Sequence, residues 1–185
     1  MEIAVLSTSR SGHNFIIEMI KSWLPGVKIQ KLENAIPEDL HYHQVGGKKK
    51  LIVIRDFKNF LASSLKALTS ASPWRENIEG KINAYRLIKE EAKHPKYYIH
   101  STVIYYDKFV KDRKYREALC KELGGEYTEE KLNYVPNEGN GSSFNGFELQ
   151  GKGSEMATRD RHKEILKTEW ANIYKDLLEQ NKDLW

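Results

Sequence analysis

The residues best suited to chemistry lie in a short loop near the start of the chain, residues 9–15, with the sequence Ser-Arg-Ser-Gly-His-Asn-Phe. The loop joins an apolar run, residues 3–6, to apolar residues at helical spacing. A helix N-terminus presents N–H groups without intrahelical partners and a partial positive charge, so this loop can wrap a phosphate or sulfate. Arg10 adds a full charge and a bidentate donor fork. The alternative is an ordinary strand-to-helix loop with Ser11 as the N-cap.

A second strand-to-helix junction carries an arginine and a serine eight residues apart, Arg55 and Ser63. The β-branched run at residues 51–54 is typical of a strand buried on both faces of a parallel sheet. An arginine at the end of such a strand points into the crevice where open α/β sheets bind ligands. Ser63, about two turns into the next helix, can add a hydroxyl to the same anion. The alternative pairs Arg55 with a surface carboxylate and leaves Ser63 as a small helix-packing residue.

The segments that must position these residues alternate between strand and helix patterns, which predicts an α/β fold. We expect a three-layer, P-loop-like domain over residues 1–185, with a central parallel sheet flanked by helices. Strands are predicted at residues 3–6, 27–32, 51–54 and 97–106, and helices at residues 15–24, 60–68, 82–92, 115–123 and 160–180. The glycine-rich residues 136–159 predict a long loop that could serve as a lid.

Composition narrows the classes of protein that this chain can represent. A net charge of +4 over 185 residues is too small to indicate nucleic-acid binding, although it suits a small polyanionic ligand. The single cysteine, Cys120, excludes a disulfide framework within the chain, and no apolar run approaches the ~20 residues that span a bilayer. We therefore expect a cytoplasmic protein with no membrane span.

Two classes of cofactor chemistry lack their usual signals. The Walker A pattern is absent because Gly-Lys is never followed by Ser or Thr, which disfavours an ordinary ATPase or GTPase. No cluster of Asp, Glu and His has the spacing of a metal site, so no metal is predicted.

Together, the two junctions resemble the sulfotransferases that use 3′-phosphoadenosine 5′-phosphosulfate (PAPS). Residues 9–15 are similar to that family's 5′-phosphosulfate loop, and the spacing of Arg55 and Ser63 matches its 3′-phosphate motif. Residues 105–109, Tyr-Tyr-Asp-Lys-Phe, resemble the family's Tyr-Glu-Asp-Leu segment, and residues 141–144 with the basic terminal helix resemble the end of small sulfotransferase domains. The resemblance covers most of the chain.

The chain also departs from the family pattern. Ser9 stands where the family has proline, and His13 and Asn14 stand where it has two threonines. The late Arg-Lys-Gly motif is reduced to Lys152 and Gly153 after a glycine, so that its arginine would have to come from Arg159 or Arg161.

The resemblance implies a role for each matching residue. PAPS would be the cofactor and adenosine 3′,5′-bisphosphate the product, with no metal required. Arg10 would stabilise the charge that develops on the bridging oxygen, and Phe15 would stack on adenine. The base that takes the acceptor's proton would be His43 or His41, with His13 as a third candidate. The predicted cofactor-binding residues are Arg10, Ser11, Gly12, His13, Asn14, Phe15, Arg55, Ser63, Lys152 and Gly153.

Other functions remain open at this stage. One is a divergent nucleotide or small-molecule kinase that uses the same anion loop, and another is a non-catalytic nucleotide-binding domain. The acceptor would be a small-molecule, carbohydrate or lipid hydroxyl, or an amine, and the sequence does not identify it. Trp74, Tyr85, Tyr97 and Tyr98 could line an acceptor cleft, although aromatic residues at such spacing are more often core.

Overall fold

The computed structural model describes residues 1–34, 48–68, 74–93, 101–137, 148–155 and 158–185. These residues form an α/β fold with a central, all-parallel sheet, which confirms the predicted fold class. The strands are β1 (Glu2–Ser7), β2 (Lys28–Glu33), β3 (Lys49–Ile54) and β4 (Ser101–Tyr105), and they lie in the order β2-β1-β3-β4. Because the strands are parallel, their carboxyl ends meet at one edge of the sheet, where ligands bind in this fold class.

Seven α-helices lie within the described ranges. They are α1 (His13–Trp23), α2 (Phe57–Lys66), α3 (Trp74–Lys93), α4 (Tyr106–Lys111), α5 (Arg113–Leu123), α6 (Arg161–Glu164) and α7 (Ala171–Gln180). Short 3₁₀ turns occur at Gly153–Glu155, Ile165–Lys167 and Lys182–Leu184. None of these helices is long and apolar enough to cross a membrane, a finding that covers the described residues alone.

Both faces of the sheet are covered, which explains why residues 3–6 are apolar without alternation. Ile3 and Val5 point to one face and pack with residues of α1, α4 and α5. Ala4 and Leu6 point to the other face and pack with Ile88 of α3. All four side chains are fully buried, as expected for a central parallel strand.

Local signals set the ends of the helices beside the sheet. Asp56 caps α2, because its Oδ1 accepts a hydrogen bond from the backbone N–H of Asn59 at 3.0 Å. Gly124 ends α5 with φ of 76°, and the N–H of Gly125 donates to the Cys120 carbonyl at 3.0 Å. These caps fix where the chain enters and leaves each helix.

The prediction of a single helix over residues 160–180 is wrong, because the helix is interrupted between α6 and α7. Thr168 adopts an extended backbone, with φ of −118° and ψ of 171°. Its hydroxyl donates to the Ile165 carbonyl at 2.7 Å and accepts from the N–H of Trp170 at 3.3 Å. A threonine side chain that satisfies backbone groups in this way competes with the helical hydrogen bonds.

Other predictions are changed in their boundaries, including the helix predicted at residues 82–92, which is α3 and begins at Trp74. The strand predicted over residues 97–106 is β4, which ends at Tyr105 because Tyr106 begins α4, and residues 97–100 lie outside the described ranges. In the loop predicted over residues 136–159, the described residues include the 3₁₀ turn Gly153–Glu155.

Candidate functional site

A cavity of about 520 Å³ lies at the carboxyl edge of the sheet. Each strand contributes a lining residue at or just after its end: Ser9, Glu33, Arg55 and Tyr106 follow β1, β2, β3 and β4 in that order. Among the described residues that line the cavity, five are basic and one is acidic. The basic residues are Arg10, Lys31, Arg55, Lys81 and Arg161. The cavity therefore has the charge of an anion-binding site.

The first loop presents the N-terminus of α1 to this cavity without a side-chain cap. Gly12 is the N-cap, so the alternative of Ser11 as the N-cap is wrong. The Ser11 hydroxyl instead lies 3.2 Å from Nδ1 of His13, while Ser11 is itself buried and does not line the cavity. Since α1 has eleven residues and no side-chain cap, its first N–H groups and its dipole favour an anion at this end.

Gly12 is required by both its conformation and its surroundings. Its φ is 83°, in the left-handed region that favours glycine. A Cβ at this position would lie 2.1 Å from Cε2 of Tyr106. The aromatic ring of Tyr106 thus packs against the backbone of the loop, and only glycine permits that contact.

Arg55 is a buried cation of the site, with 6% of its surface exposed. Its Nη1 donates to the Ser63 hydroxyl at 3.1 Å and to the Arg10 carbonyl at 3.0 Å, and its Nη2 donates to the Thr158 carbonyl. Its Nε is buried and has no hydrogen-bond partner among the residues that the structure describes. Arg55 forms no ion pair with any carboxylate in the described part of the chain, so the alternative of a surface ion pair does not hold there.

Burial lowers the pKa of Arg55, and the nearby Arg161 lowers it further, while Tyr106 and Asp107 act in the opposite direction. Its guanidinium carbon lies 5.2 Å from the centre of the Tyr106 ring. A buried guanidinium that hydrogen bonds mainly to neutral oxygens gains most from an anion that enters the cavity.

Tyr85 forms a hydrogen bond just after the end of β3 and does not line the cavity. Its hydroxyl donates to the Arg55 carbonyl at 2.7 Å, and its ring stacks on Phe60 at 4.8 Å between centroids. Burial raises its pKa, with smaller contributions from Asp56 and Asp107. The expectation that Tyr85 could line an acceptor cleft is therefore wrong; Tyr97 and Tyr98 lie outside the described residues, as does the Trp74 side chain.

The residues predicted to replace the late Arg-Lys-Gly motif lie partly beside the cavity and partly outside it. Gly153 lines the cavity, and its N–H donates to the Asn133 carbonyl at 3.0 Å. Lys152 and Arg159 are exposed and do not line the cavity. Arg161 lines it, is buried, and pairs with Glu164 at 2.7 Å. Of the two arginines considered for this position, Arg161 is thus the one beside the cavity.

The other loop residues face the cavity with different partners. His13 is buried, and its Nε2 lies 3.4 Å from Oε2 of Glu33. The His13 imidazole, followed by the charges of Lys31 and Arg10, holds the pKa of Glu33 below its usual range despite partial burial. Asn14 accepts a hydrogen bond from Nζ of Lys31 at 3.4 Å. Phe15 lines the cavity and makes an edge-to-face contact with Phe109, with ring centroids 5.9 Å apart.

Several lining residues were not found from the sequence. Lys31, Glu33 and Asn34 come from the end of β2, and Asn77 and Lys81 come from α3. The end of β2 carried a usable signal, because a strand parallel to β1 must end at the same edge of the sheet. No sequence pattern indicated that α3 would contribute to the cavity, because this contribution depends on how the helix packs.

Two further predictions concern the catalytic base and metal binding. His41 and His43, the candidate bases, lie outside the described residues. In the ranges that the structure does describe, no three His, Cys, Asp or Glu side chains are grouped so that they could hold a metal ion.

Comparison with known proteins identifies no family for this chain. No protein-family model matches the chain, and no curated protein sequence matches it.

Proposed function

We propose that the protein is a PAPS-dependent sulfotransferase that moves a sulfuryl group from PAPS to a hydroxyl or amine acceptor. The observation that carries the proposal is Arg55, a buried guanidinium at the end of β3 that hydrogen bonds to Ser63 and faces a basic cavity. An α/β protein that binds only a 5′-phosphate at its first loop has no evident need for this second cation site.

The residues present fit the nucleotide. The unpartnered Nε of Arg55 and the Ser63 hydroxyl are suited to the 3′-phosphate, with Arg161 nearby. The N-terminus of α1 and the side chain of Arg10 are suited to the 5′-phosphosulfate. An apolar wall is suited to the adenine; it consists of Phe15, Val110, Leu132, Tyr134, Val135 and Pro136.

When bound, PAPS supplies an activated sulfuryl group. The site would hold PAPS so that the sulfuryl group could pass to the acceptor's oxygen or nitrogen as the bond from sulfur to the bridging oxygen breaks, and the acceptor's proton would go to a base. Arg10 and the N–H groups at the start of α1 offset the charge on the departing oxygen. His43 or His41 is the predicted base, and His13 is the described histidine that lines the cavity.

The competing kinase interpretation uses the same loop but a different ligand. A kinase would bind ATP through its triphosphate, whereas the Arg55–Ser63 pair is suited to a phosphate on the ribose. Binding measurements therefore separate the two interpretations.

Isothermal titration calorimetry with adenosine 3′,5′-bisphosphate, AMP and ATP tests the proposal. We expect the bisphosphate to bind most tightly, and Arg55→Ala to weaken that binding about tenfold or more and by a larger factor than it weakens AMP. Arg113→Ala, at an exposed residue paired with Glu117, is the control. Equal binding of ATP and the bisphosphate by the wild type would refute the proposal.

Transfer from radiolabelled PAPS to a panel of acceptors then tests catalysis. Activity that falls about 10²- to 10⁴-fold in His43→Ala, with His41→Ala as the comparison, would identify the base. Tight bisphosphate binding without transfer to any acceptor would instead favour a non-catalytic nucleotide-binding domain.

A further inference from the structure

The cavity has a polar wall that the nucleotide contacts described above do not use. It consists of Lys31, Glu33, Asn34, Asn77 and Lys81. The first three come from the end of β2, and the last two lie four residues apart on α3, which places them on the same face of that helix. This wall, which we call the β2–α3 wall, lies beside the first loop, because Glu33 lies 3.4 Å from Nε2 of His13.

Lys81 is the most informative residue of the β2–α3 wall. It is half-buried, and its ammonium group forms no hydrogen bond or ion pair with any residue that the structure describes. Burial and the charge of Arg10 lower its pKa, while Glu33 partly offsets this effect. A desolvated lysine beside a second cation gains free energy when an anion takes the place of the lost water.

Asn77 and Glu33 add neutral and acidic hydrogen-bonding groups to the same wall. Asn77 is exposed, and its side chain also has no hydrogen-bond partner among the described residues. The Glu33 carboxylate is one-third exposed and can accept hydrogen bonds from hydroxyl groups. Amide, carboxylate and ammonium groups together suit a molecule with several hydroxyls and a negative charge.

An apolar acceptor would have to lie against this wall and bury these groups without partners. Burying an unsatisfied amide or ammonium group is unfavourable, and most unfavourable for the charged one. The apolar side of the cavity is already suited to the adenine. The β2–α3 wall therefore disfavours a sterol or a simple phenol as the natural acceptor.

We infer that the β2–α3 wall is the acceptor subsite and that its ligand is a polyhydroxylated acceptor carrying a negatively charged group, such as a sugar acid. Lys81 binds the charged group, and Glu33 and Asn77 bind neighbouring hydroxyls. This inference rests on the proposed function for its description as an acceptor site, whereas the binding of an anionic sugar can be tested by itself.

Ligand-observed NMR titration tests it with three matched sugars: methyl glucoside, methyl glucuronide and methyl glucoside 6-sulfate. Adenosine 3′,5′-bisphosphate is present in one series and absent in the other. We expect both charged sugars to bind more tightly than the neutral one, about fivefold or more. Lys81→Met should remove most of that difference while leaving the affinity for the bisphosphate within about twofold. If only the sulfate or only the carboxylate gains affinity, the charged group is thereby identified.

Two further variants distinguish a specific loss of sugar binding from a folding defect. Asn77→Asp adds a negative charge at an exposed position beside Lys81, so it should weaken the glucuronide by a larger factor than the neutral glucoside. Lys93→Met removes an exposed lysine at the far end of α3 and should change neither sugar.

Three outcomes overturn the inference. The wild type could bind glucoside as tightly as glucuronide, or prefer 4-nitrophenol to all three sugars. Lys81→Met could also weaken the bisphosphate as much as the glucuronide, which would assign Lys81 to the nucleotide. A protein that binds the glucuronide through Lys81 but does not bind the bisphosphate would refute the proposed function alone.

Discussion

Nη1 of Arg55 donates a hydrogen bond to Oγ of Ser63 at 3.1 Å, and the same nitrogen donates to the Arg10 carbonyl at 3.0 Å. One guanidinium therefore joins the second strand-to-helix junction to the first loop. Arg10 has a φ of 65°, in the left-handed region that non-glycine residues rarely adopt. The hydrogen bond from Arg55 helps to hold that backbone, so the two parts of the site are coupled through the protein itself.

This contact makes Ser63 and its neighbour Ser64 a matched pair for mutation. Ser63 lines the cavity, whereas Ser64 does not, although both are buried. Ser63→Ala should weaken adenosine 3′,5′-bisphosphate several-fold, because the phosphate loses one hydroxyl donor. Ser64→Ala should leave the affinity unchanged, and calorimetry measures both. Equal losses would show that the effect of Ser63→Ala is structural.

Arg10 is expected to act on the transfer step more than on binding. Its role is to offset charge that develops on the bridging oxygen, and that charge is greatest in the transition state. Arg10→Ala should therefore lower the transfer rate by a larger factor than it lowers affinity for the sulfate-free bisphosphate. Arg159→Ala, at an exposed arginine outside the cavity lining, is the control. Equal losses of rate and affinity in Arg10→Ala would make Arg10 a binding residue only.

The contact between Gly12 and Tyr106 predicts an unusually unfavourable glycine substitution. Gly12→Ala adds a methyl group that would overlap the ring of Tyr106, and it also places alanine at a positive φ. We expect the free energy of unfolding to fall by about 2–5 kcal/mol, the sum of typical values for overpacking and for left-handed strain. Chemical denaturation measures the change.

Gly26 provides the control because it separates these two causes. Its φ is 79°, close to that of Gly12, and a Cβ at Gly26 would meet no atom within 4 Å. Gly26→Ala should therefore lose only the strain contribution, about 1–2 kcal/mol. If both variants lose the same amount, the ring of Tyr106 moves aside readily and the contact does not constrain the loop.

The parts of the site that could be predicted from the sequence are those that follow directly from strand ends. Residues 3–6 and 51–54 are continuous apolar runs, so their parallel pairing and the convergence of Arg10 and Arg55 followed from the fold class. The meeting of Ser63 with Arg55 followed from helical geometry, since Ser63 lies two turns into α2.

The remaining features depend on helix packing and on competition between side-chain and helical hydrogen bonds. The sequence pattern alone does not reveal either of them. Lys81 reaches the cavity because Ile78, Ile82 and Tyr85 fix the rotation of α3 against α2. The break at Thr168 depends on a side-chain hydroxyl that competes with helical hydrogen bonds within an otherwise amphipathic run. Neither could be derived without knowing which helix faces pack together.

The last prediction concerns the acid stability of the loop and follows from the lowered pKa of Glu33. His13 is the largest cause of this shift, and Lys31 and Arg10 add to it. A carboxylate whose folded-state pKa is lowered contributes stability above its unfolded pKa, and that contribution is lost as the pH falls through the folded-state pKa. Glu33→Gln should therefore be less stable than the wild type at about pH 5.5, and the difference should shrink toward about pH 3, below the ordinary glutamate pKa of about 4.3.

Thermal unfolding of both proteins across this pH range measures the convergence. Glu126→Gln is the control, because the Glu126 side chain is exposed and forms no ion pair within the described residues. His13→Gln should reduce the pH dependence in the same way as Glu33→Gln, because the two side chains face each other across 3.4 Å. If the stability difference between the wild type and Glu33→Gln stays constant from about pH 5.5 to about pH 3, the Glu33 carboxylate is not held ionised by its neighbours. The hydrogen bond from the Ser9 N–H to Oδ1 of Asn34, which is 2.8 Å long and contains no titratable group, would then account for more of the anchoring of the first loop to β2.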